Sequence, residues 1–285
     1  MDPKRLSSKE YWSALYEEKA SGRSPASGAH RFKNWVPAGL RQLRNNLLRE
    51  HWFRQLVTVL LRPHLEGRPG LKGLEVGSAP GYRSLELWQR FGIEPHGLEY
   101  TEDGAALQRG LYRTRGLSEE LVVCGDFFND ALRAGWAGKF DLVTSYGFIE
   151  HFDYPKDVVA KHLELLRPGG LLVVTVPNIN EGTWYGRLVR RFNPKVYAMH
   201  NIRTCTRDQF CKIFDDMDCD VLYCGTLGGC DISFLPDGRR ASRAVAFSLR
   251  LVNPVLNVLN HLWVGNRLRE FPRTSSTLAA VAVKR

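Results

Sequence analysis

The sequence predicts an α/β protein built on a mostly parallel β-sheet with helices on both faces. Three observations support this fold class. Short apolar runs that are typical of strands alternate with stretches of helical periodicity, as in β-α-β units. The first predicted strand leads into a loop of very small residues, and a helical pattern follows at once over residues 82–91. Acidic residues also stand at the ends of predicted strands, the edge at which open parallel sheets bind ligands.

The loop after the first strand, with sequence EVGSAPG at residues 75–81, indicates a site for a nucleoside-containing cofactor. Glycines let the backbone pass within contact distance of a ligand, where any Cβ atom would collide. The amide N–H groups at the start of the next helix have no partner within that helix and can face the same ligand. Taken alone, the loop is compatible with several cofactors, including a nicotinamide dinucleotide.

Two carboxylates further along the chain suit the same ligand. Glu99 ends the second predicted strand, roughly 20 residues after the glycines, where it can accept hydrogen bonds from both hydroxyls of a ribose. Asp126 stands at the tip of the third predicted strand, and Phe127 follows it. A carboxylate there can accept from the exocyclic amine of a base, and a neighbouring ring can pack on a purine.

Later segments complete the predicted sheet. A fourth strand at residues 140–147 is followed by the tripeptide Glu-His-Phe at residues 150–152, and a helix end and turn, LRPGG, falls at residues 166–170. The remaining strands are predicted at residues 171–178, 218–226 and 277–284.

In this order, the motifs resemble those of the class I S-adenosylmethionine-dependent methyltransferases, in particular small-molecule O-methyltransferases and ubiquinone-type enzymes. The resemblance covers roughly residues 70–225 and the final strand. Ala79 replaces the glycine that the family usually has in the middle of the loop; alanine is small enough to change detail and not binding. A nicotinamide enzyme does not predict the Arg-Pro-Gly-Gly turn. The resemblance implies a Rossmann-like seven-stranded sheet whose last strand is antiparallel, between the fifth and the sixth.

The resemblance also implies S-adenosylmethionine as the methyl donor and assigns residues to it. The loop is expected to line the methionine and ribose side, with Glu75 holding the loop and reaching the amino group through water. The ends of the second, third and fourth strands are expected to meet the ribose, the adenine and the rest of the cofactor. The expected cofactor-binding residues are Glu75, Gly77, Ser78, Ala79, Gly81, Glu99, Tyr100, Asp126, Phe127, Ser145 and Tyr146.

Two histidines are candidates for the chemistry. Methyl transfer from a sulfonium is an in-line displacement, so the protein mainly aligns the reactants and excludes water. A hydroxyl acceptor must also lose a proton near neutral pH, a task that suits histidine. His151 follows the fourth strand, close to where the family places the methyl group, and His200 lies in a later insertion. The alternative for either residue is a structural role in which the ring fixes a loop.

The chain is predicted to consist of an N-terminal helical lid, residues 1–55, and a methyltransferase domain, residues 56–285, with two insertions. The insertion at residues 178–205 leaves from a strand end and is expected to form the acceptor region. Its expected acceptor-binding residues are Trp184, Tyr185, Arg187 and His200.

The second insertion, residues 228–275, has an apolar helical pattern over residues 244–264 that Asn253 and Pro254 interrupt, with arginines on both sides. This pattern is compatible with a helix that lies on an anionic membrane. It is equally compatible with a homodimer contact, a second lid over an apolar acceptor, or a helix packed on its own domain.

Composition narrows the function classes. The chain has 285 residues and no uninterrupted 18-residue apolar run, which argues against a spanning helix. The start of the sequence lacks the apolar core of a signal peptide, and the six cysteines form no Cys-x-x-Cys pair, so we expect a cytoplasmic protein with reduced thiols. No metal-binding motif is recognised, and no requirement for a divalent cation is expected.

The net charge of +10 favours an anionic partner. Enzymes that methylate exocyclic amines of bases commonly carry an Asn/Asp-Pro-Pro-Tyr/Phe tetrad after the fourth strand, and residues 145–148 read Ser-Tyr-Gly-Phe instead, which argues against nucleic acid. The prediction is O-methylation of a hydroxyl on a small or amphipathic metabolite, natural product or glycan. The alternatives are an N- or C-methyltransferase, or a non-catalytic RNA-binding or scaffold protein that retains the fold.

Overall fold

A single seven-stranded sheet organises the computed structural model, which describes residues 3–21, 50–230, 240–265 and 267–285. Most of the predicted N-terminal lid, residues 22–49, lies outside this description. In chain order the strands are β1 (Lys72–Val76), β2 (Glu94–Glu99), β3 (Val122–Cys124), β4 (Phe140–Tyr146), β5 (Leu166–Pro177), β6 (Cys219–Leu227) and β7 (Thr277–Lys284).

The strand order is β3-β2-β1-β4-β5-β7-β6. The pairs from β3 through β5 are parallel, whereas β7 pairs antiparallel with both β5 and β6. The predicted seven-stranded, mostly parallel sheet with an antiparallel last strand is confirmed. In such a sheet the carboxyl ends of the parallel strands lie at one edge, so β1, β2 and β4 deliver their final residues to the same place.

Helices cover both faces of the sheet, as predicted. The helix before β1 is continuous from residue 51 to residue 65 and has a π-helical middle, so the predicted domain boundary at residues 55/56 falls inside it. The helices are α1 (Lys9–Ala20), α2 (His51–Gln55) with the π-helical segment Leu56–Leu61, α3 (Arg62–Leu65), α4 (Tyr82–Phe91), α5 (Glu102–Arg113), α6 (Asp130–Trp136), α7 (Pro155–Leu165), α8 (Trp184–Phe192), α9 (Pro194–Ala198), α10 (Arg207–Lys212) and α11 (Arg240–Trp263).

The sequence of the central strand β5 is apolar at successive positions and does not alternate between apolar and polar residues. Leu172 and Val174 belong to the core cluster on one face of the sheet, together with Val158 of α7. Leu171 and Val173 belong to the cluster on the other face. Because both faces are covered by helices, successive side chains are all buried, and the strand becomes a continuous hydrophobic run.

The LRPGG segment differs from its prediction as a helix end and turn. Helix α7 ends at Leu165, but the next residues belong to β5: Leu166 pairs with Phe140, and the register then shifts so that Leu171 pairs with Leu142. Residues 167–170 therefore bulge out of the strand, and Gly169 has a φ of 74°, which favours glycine.

The second insertion forms one long helix. Helix α11 runs from Arg240 to Trp263 and continues through Pro254, so the predicted interruption at residues 253–254 is wrong. Proline removes one backbone hydrogen bond from a helix but does not have to end it. Among the described residues, no helix combines the length and the apolar character that crossing a membrane requires.

One disulfide bond corrects the expectation that every thiol is reduced. Cys211 of α10 and Cys224 of β6 are bonded, with their Cα atoms 5.8 Å apart. They are separated by 13 positions in sequence and come together because α10 packs on β6. Spacing of this kind has no sequence signature. Cys124, Cys205, Cys219 and Cys230 form no disulfide bond.

Candidate functional site

Two adjoining cavities lie at the carboxyl ends of the strands. The first, which we call the strand-tip cavity, has a volume of about 340 Å³ and lies between the ends of β1, β2 and β4, the loop at residues 125–128, and α1. Seven of the residues predicted to bind the cofactor line it: Gly77, Ala79, Glu99, Tyr100, Asp126, Phe127 and Tyr146.

Glu99 is fixed at the floor of this cavity. Its side chain is 3% exposed, and its Oε2 accepts a hydrogen bond from the Ala79 amide at 3.2 Å. Its Oε1 accepts from the amide and the hydroxyl of Thr101, the N-cap of α5, both at 3.0 Å. Since a carboxylate oxygen can accept two hydrogen bonds, Oε2 keeps acceptor capacity for a ligand hydroxyl. This geometry fits the predicted contact with a ribose.

The glycine loop approaches the cavity through Gly77. This residue has a φ of 68°, and a Cβ atom there would lie 3.0 Å from the Phe148 ring. The amides of Gly77 and Ser78 donate to the carbonyl of Leu98, which ties the loop to β2. The cavity is thus bounded by bare backbone, as close approach of a ligand requires.

Three residues predicted to bind the cofactor do not line the strand-tip cavity. They contact the helices α4 and α5, which pack against the loop. Ser78 is fully buried and donates to Gln108 of α5 at 2.5 Å. A Cβ atom at Gly81 would lie 2.7 Å from Gln108. Glu75 accepts hydrogen bonds from the amide and hydroxyl of Ser84 at the start of α4, and burial raises the pKa of its carboxyl to about 7.

Ser145 also lies outside both cavities. It is fully buried within β4, and its hydroxyl has no hydrogen-bond partner among the described residues. The neighbouring Tyr146 does line the cavities, because successive side chains of a strand point to opposite faces. The Ser145 side chain thus faces away from both cavities, and its contact with the cofactor stays a prediction.

The N-terminal segment supplies side chains that the sequence did not predict. Nη2 of Arg5 lies 2.5 and 2.6 Å from the two carboxylate oxygens of Asp126, and its Nη1 donates to the Tyr100 hydroxyl at 2.7 Å. The backbone of Arg5 forms a bridge with Phe152. The carboxylate expected to accept from adenine is therefore already paired with a cation of this chain.

Helix α1 lies across the mouth of the strand-tip cavity. The Tyr16 hydroxyl donates to the carbonyl of Ala79 at 3.4 Å, and the Trp12 ring packs edge-on against His151 with the ring centres 5.2 Å apart. Trp12, Tyr16 and Lys19 all line the cavity. This helix covers the loop and the strand ends at once, and the placement fits the predicted lid.

The second cavity, which we call the insertion cavity, has a volume of about 260 Å³ and lies between the ends of β4 and β5 and the helices α8 and α9. Tyr185 and His200 line it, as predicted for the acceptor region. The other two predicted residues do not line the cavity. Trp184 packs against the small hydrophobic cluster that includes Ile179 and Cys205. Arg187 is exposed and donates a hydrogen bond to the Glu181 carbonyl at 3.2 Å. The apolar walls of the cavity include Trp52, Ile179, Val189, Val196 and Met199.

The two cavities share one wall. Arg83, whose guanidinium lies 4.9 Å from the centre of the Tyr146 ring and 5.1 Å from that of Trp52, stands there and donates to Glu50 at 3.1 Å. His151 occupies the same wall, so it faces both spaces. The residues that line both cavities are Trp12, Arg83, Tyr146, Gly147 and His151.

Beside this wall lies a group that we call the Glu-His-His cluster: Glu150, His151 and His200. The centres of the two imidazole rings are 4.6 Å apart. Burial, with a smaller effect of His200, lowers the pKa of His151 to about 3, and burial also lowers the pKa of His200. Burial raises the pKa of the Glu150 carboxyl to about 8. The sequence predicted both histidines but treated Glu150 only as a neighbour of His151.

The fold is that of an α/β protein with one cavity at its strand tips and a second, more apolar cavity beside it. A family profile described as "Methyltransferase domain" matches residues 48–223. The chain belongs to this family, as the resemblance to class I S-adenosylmethionine-dependent methyltransferases predicted.

Similar proteins agree with this assignment. The ubiquinone biosynthesis O-methyltransferase of Leptothrix cholodnii is 30% identical over 141 residues, which are 47% of this chain and 53% of that protein. The chain thus spans about half the length of the curated relatives that it matches. A methyltransferase solved with the Trm112 activator of Haloferax volcanii has a TM-score of 0.52 and 18% identity, covering 86% of this chain and 94% of its own. Geranyl diphosphate C-methyltransferase of Streptomyces coelicolor has a TM-score of 0.52 and 13% identity, covering 79% and 77%. These structures show the same fold.

Proposed function

We propose that the chain methylates a hydroxyl oxygen of a small acceptor whose apolar or aromatic part occupies the insertion cavity. The observation that carries this proposal is the position of His151, on the wall between the strand-tip cavity and the insertion cavity. A group there can contact an acceptor hydroxyl while the methyl donor lies on the other side. The ubiquinone O-methyltransferase relatives support oxygen as the acceptor atom.

When bound, S-adenosylmethionine supplies an electrophilic methyl group on a good leaving group. The chain then has to bind, align and exclude water. Glu99 is placed to hold the ribose, and Gly77 leaves room for the ligand beside the loop. Trp12 and Tyr146 line both cavities and would restrict the acceptor to one approach.

Proton removal is assigned to the Glu-His-His cluster and not to His151 alone. Nδ1 of His151 lies 2.9 Å from the carbonyl oxygen of Met199, so Nδ1 carries the proton and Nε2 is the acceptor. An imidazole whose pKa is lowered to about 3 is a weak base. The pKa of Glu150 in the same cluster is raised to about 8, so its ionised form, a minor fraction at pH 7, is the stronger base.

The test is transfer of a deuterated methyl group from labelled S-adenosylmethionine to matched acceptors. A phenol with an apolar side chain, the corresponding aniline and the corresponding methyl ether would be offered to the full chain. We expect the label on the phenol oxygen and none on the ether. Transfer to nitrogen or carbon in preference to oxygen would contradict the proposal, as would tight cofactor binding with no transfer to any hydroxyl acceptor.

Contact with an anionic membrane through α11 is also proposed. The apolar side chains Phe247, Leu251, Val255, Leu262 and Trp263 of α11 are 63%, 64%, 58%, 73% and 83% exposed. Leu259, which is 45% exposed, lies between Val255 and Leu262 and completes a spacing of three or four residues, and Trp263 directly follows Leu262. Exposed stripes of this length are uncommon on soluble monomers. We call these six residues the α11 stripe.

The positive charge of the sequence around α11 favours an anionic lipid surface as the partner of the α11 stripe. Between residues 239 and 273 the sequence contains seven arginines and one glutamate, and that glutamate is paired with Arg207. Such a combination of apolar and basic residues suits an anionic lipid surface. The other side of α11 carries Leu249 and Leu256, which pack against the cluster of Tyr185 and Val189, two residues that line the insertion cavity. An apolar acceptor held in a membrane would therefore lie close to its cavity.

A further inference from the structure

The Glu-His-His cluster brings three potential metal ligands to one place. Glu150 and His151 belong to the short helical turn Ile149–His151 after β4, whereas His200 follows α9 in the first insertion. One ligand atom from each residue lies within 4.8 Å of the other two. Three donor atoms bound at 2.0–2.2 Å to one ion are about 3.3–3.8 Å apart, so side-chain shifts that bring the widest pair closer by up to about 1.5 Å complete a site.

Both histidines are oriented as metal ligands are. Nδ1 of His151 lies 2.9 Å from the Met199 carbonyl oxygen, and Nδ1 of His200 lies 2.6 Å from that of Val196. A carbonyl can only accept, so each Nδ1 carries the proton and each Nε2 keeps its lone pair. Metal-binding histidines characteristically donate their second ring N–H to a backbone carbonyl or carboxylate in this way.

Glu150 gives an independent reason for a cation. Its side chain is 1% exposed, and its Oε2 has no hydrogen-bond partner among the described residues. Ion pairs in the described part of the chain also leave Glu150 out. A buried carboxylate oxygen without a partner is costly, and a bound cation removes that cost.

We propose that Glu150, His151 and His200 bind a divalent transition-metal ion such as Zn²⁺ or Co²⁺, with an open position toward the insertion cavity. Two imidazoles and one carboxylate suit this class of ion, whereas Mg²⁺ prefers oxygen ligands. The role of the ion rests on the proposed function: it would bind the oxygen of the acceptor hydroxyl and lower the pKa of that hydroxyl, so that the proton passes to solvent water before methyl transfer. With the ion bound, the three cluster side chains act as its ligands and do not take the proton themselves. This proposal reverses the expectation from the sequence that no cation is required.

The test uses Co²⁺ alone as the probe, added to the full chain after removal of metals with a chelator. We expect one Co²⁺ per chain, with visible absorption bands of nitrogen and oxygen ligation and dissociation in the micromolar range. His200→Asn and Glu150→Gln are expected to weaken binding at least 30-fold. His96→Ala, which removes a histidine outside the cluster, is the matched control and should bind as the parent does. Thermal unfolding and S-adenosylhomocysteine affinity report whether each variant is folded.

The outcomes separate this inference from the proposed function. Absence of Co²⁺ binding by the folded parent chain overturns the metal site, and so does binding that is unchanged in both His200→Asn and Glu150→Gln. Full O-methylation by the chelated chain also overturns it while leaving the proposed function intact. Co²⁺ binding at the cluster together with methylation of nitrogen or carbon only would overturn the proposed function and retain the metal site.

Discussion

The guanidinium of Arg5 binds both carboxylate oxygens of Asp126, at 2.5 and 2.6 Å, although 121 positions separate the two residues. Asp126 Oδ1 also accepts from the amide of Phe128 at 3.0 Å. Oδ1 of Asp126 is therefore fully engaged by the chain itself, and Oδ2 already accepts from Arg5. An adenine amine that binds there has to displace Arg5 or share the carboxylate with it.

Arg5→Ala is expected to tighten binding of S-adenosylhomocysteine by up to about fivefold, because a half-exposed ion pair contributes roughly 0.2–1 kcal/mol. Asp126→Ala is expected to weaken the same affinity by about tenfold, equivalent to about 1.4 kcal/mol, because one charged acceptor is lost. Calorimetric titration measures both effects. Arg113→Ala removes an exposed arginine elsewhere and is the control. Weaker binding by Arg5→Ala would mean that Arg5 belongs to the site instead of blocking it.

Glu99→Gln is expected to reduce cofactor affinity at least tenfold. The amide has one acceptor oxygen in place of two, so it cannot serve the amides of Ala79 and Thr101 and also a ribose hydroxyl. Glu94→Gln, at the opposite end of β2, should leave the affinity unchanged. Equal affinities of the parent and Glu99→Gln for S-adenosylhomocysteine in the same titration would remove Glu99 from the site.

His162 is expected to make the folded chain less stable as the pH falls below about 6.5. Its ring is fully buried against Phe127 and Phe148, and burial lowers its pKa to about 4. Above pH 6.5 the ring is neutral in both states and has no effect. Below it, the unfolded chain takes up a proton that the folded chain does not, so the free energy of unfolding falls by up to about 3 kcal/mol by pH 4.

Urea unfolding at pH 7.5 and at pH 5 checks this effect in the parent and in His162→Phe. The aromatic replacement keeps the ring packing and cannot titrate, so its free energy of unfolding should fall less between the two pH values. His51, whose pKa is also lowered to about 4, is present in both proteins and cancels in the comparison. The same loss of stability in both proteins would show that His162 does not titrate as described.

Leu251→Asp together with Trp263→Asp is expected to reduce binding to phosphatidylglycerol vesicles at least tenfold, because both side chains belong to the α11 stripe. Co-sedimentation measures the bound fraction. Tyr154→Asp changes an aromatic residue that is 63% exposed outside the stripe and should have little effect. Equal binding to phosphatidylcholine, or none to either lipid, contradicts the proposal, and a concentration-dependent dimer abolished by the double variant assigns the stripe to a second copy.

The sequence predicted the parts of the fold that depend on local patterns. Three features show this: the small-residue loop at residues 75–81 after β1, the acidic residue Glu99 at the end of β2, and the apolar run of β5. Each is visible within a few neighbouring residues, and all three are found where they were expected. The strand-tip cavity follows from them, because parallel strands place their ends at one edge.

The features that the sequence did not predict depend on contacts between segments that are distant in the chain. No spacing connects Arg5 to Asp126 or Cys211 to Cys224, since each pair meets only after the helices and strands have packed. Trp184 is as aromatic as Tyr185, but the rotation of α8 turns only Tyr185 to the insertion cavity. The cluster with Glu150 could not be recognised either, because its third member comes from an insertion whose path the sequence does not determine.

The position of β7 has a consequence for synthesis on the ribosome. In the described sheet, β6 has β7 as its only neighbour, and residues 228–276 separate the two strands. At about 5–20 residues per second, β6 waits roughly 2–10 seconds with an unpaired edge. During that interval the apolar residues of α11 emerge as well. Nascent chains of this protein are therefore expected to need chaperone protection late in translation, after the cofactor half of the sheet has already been made.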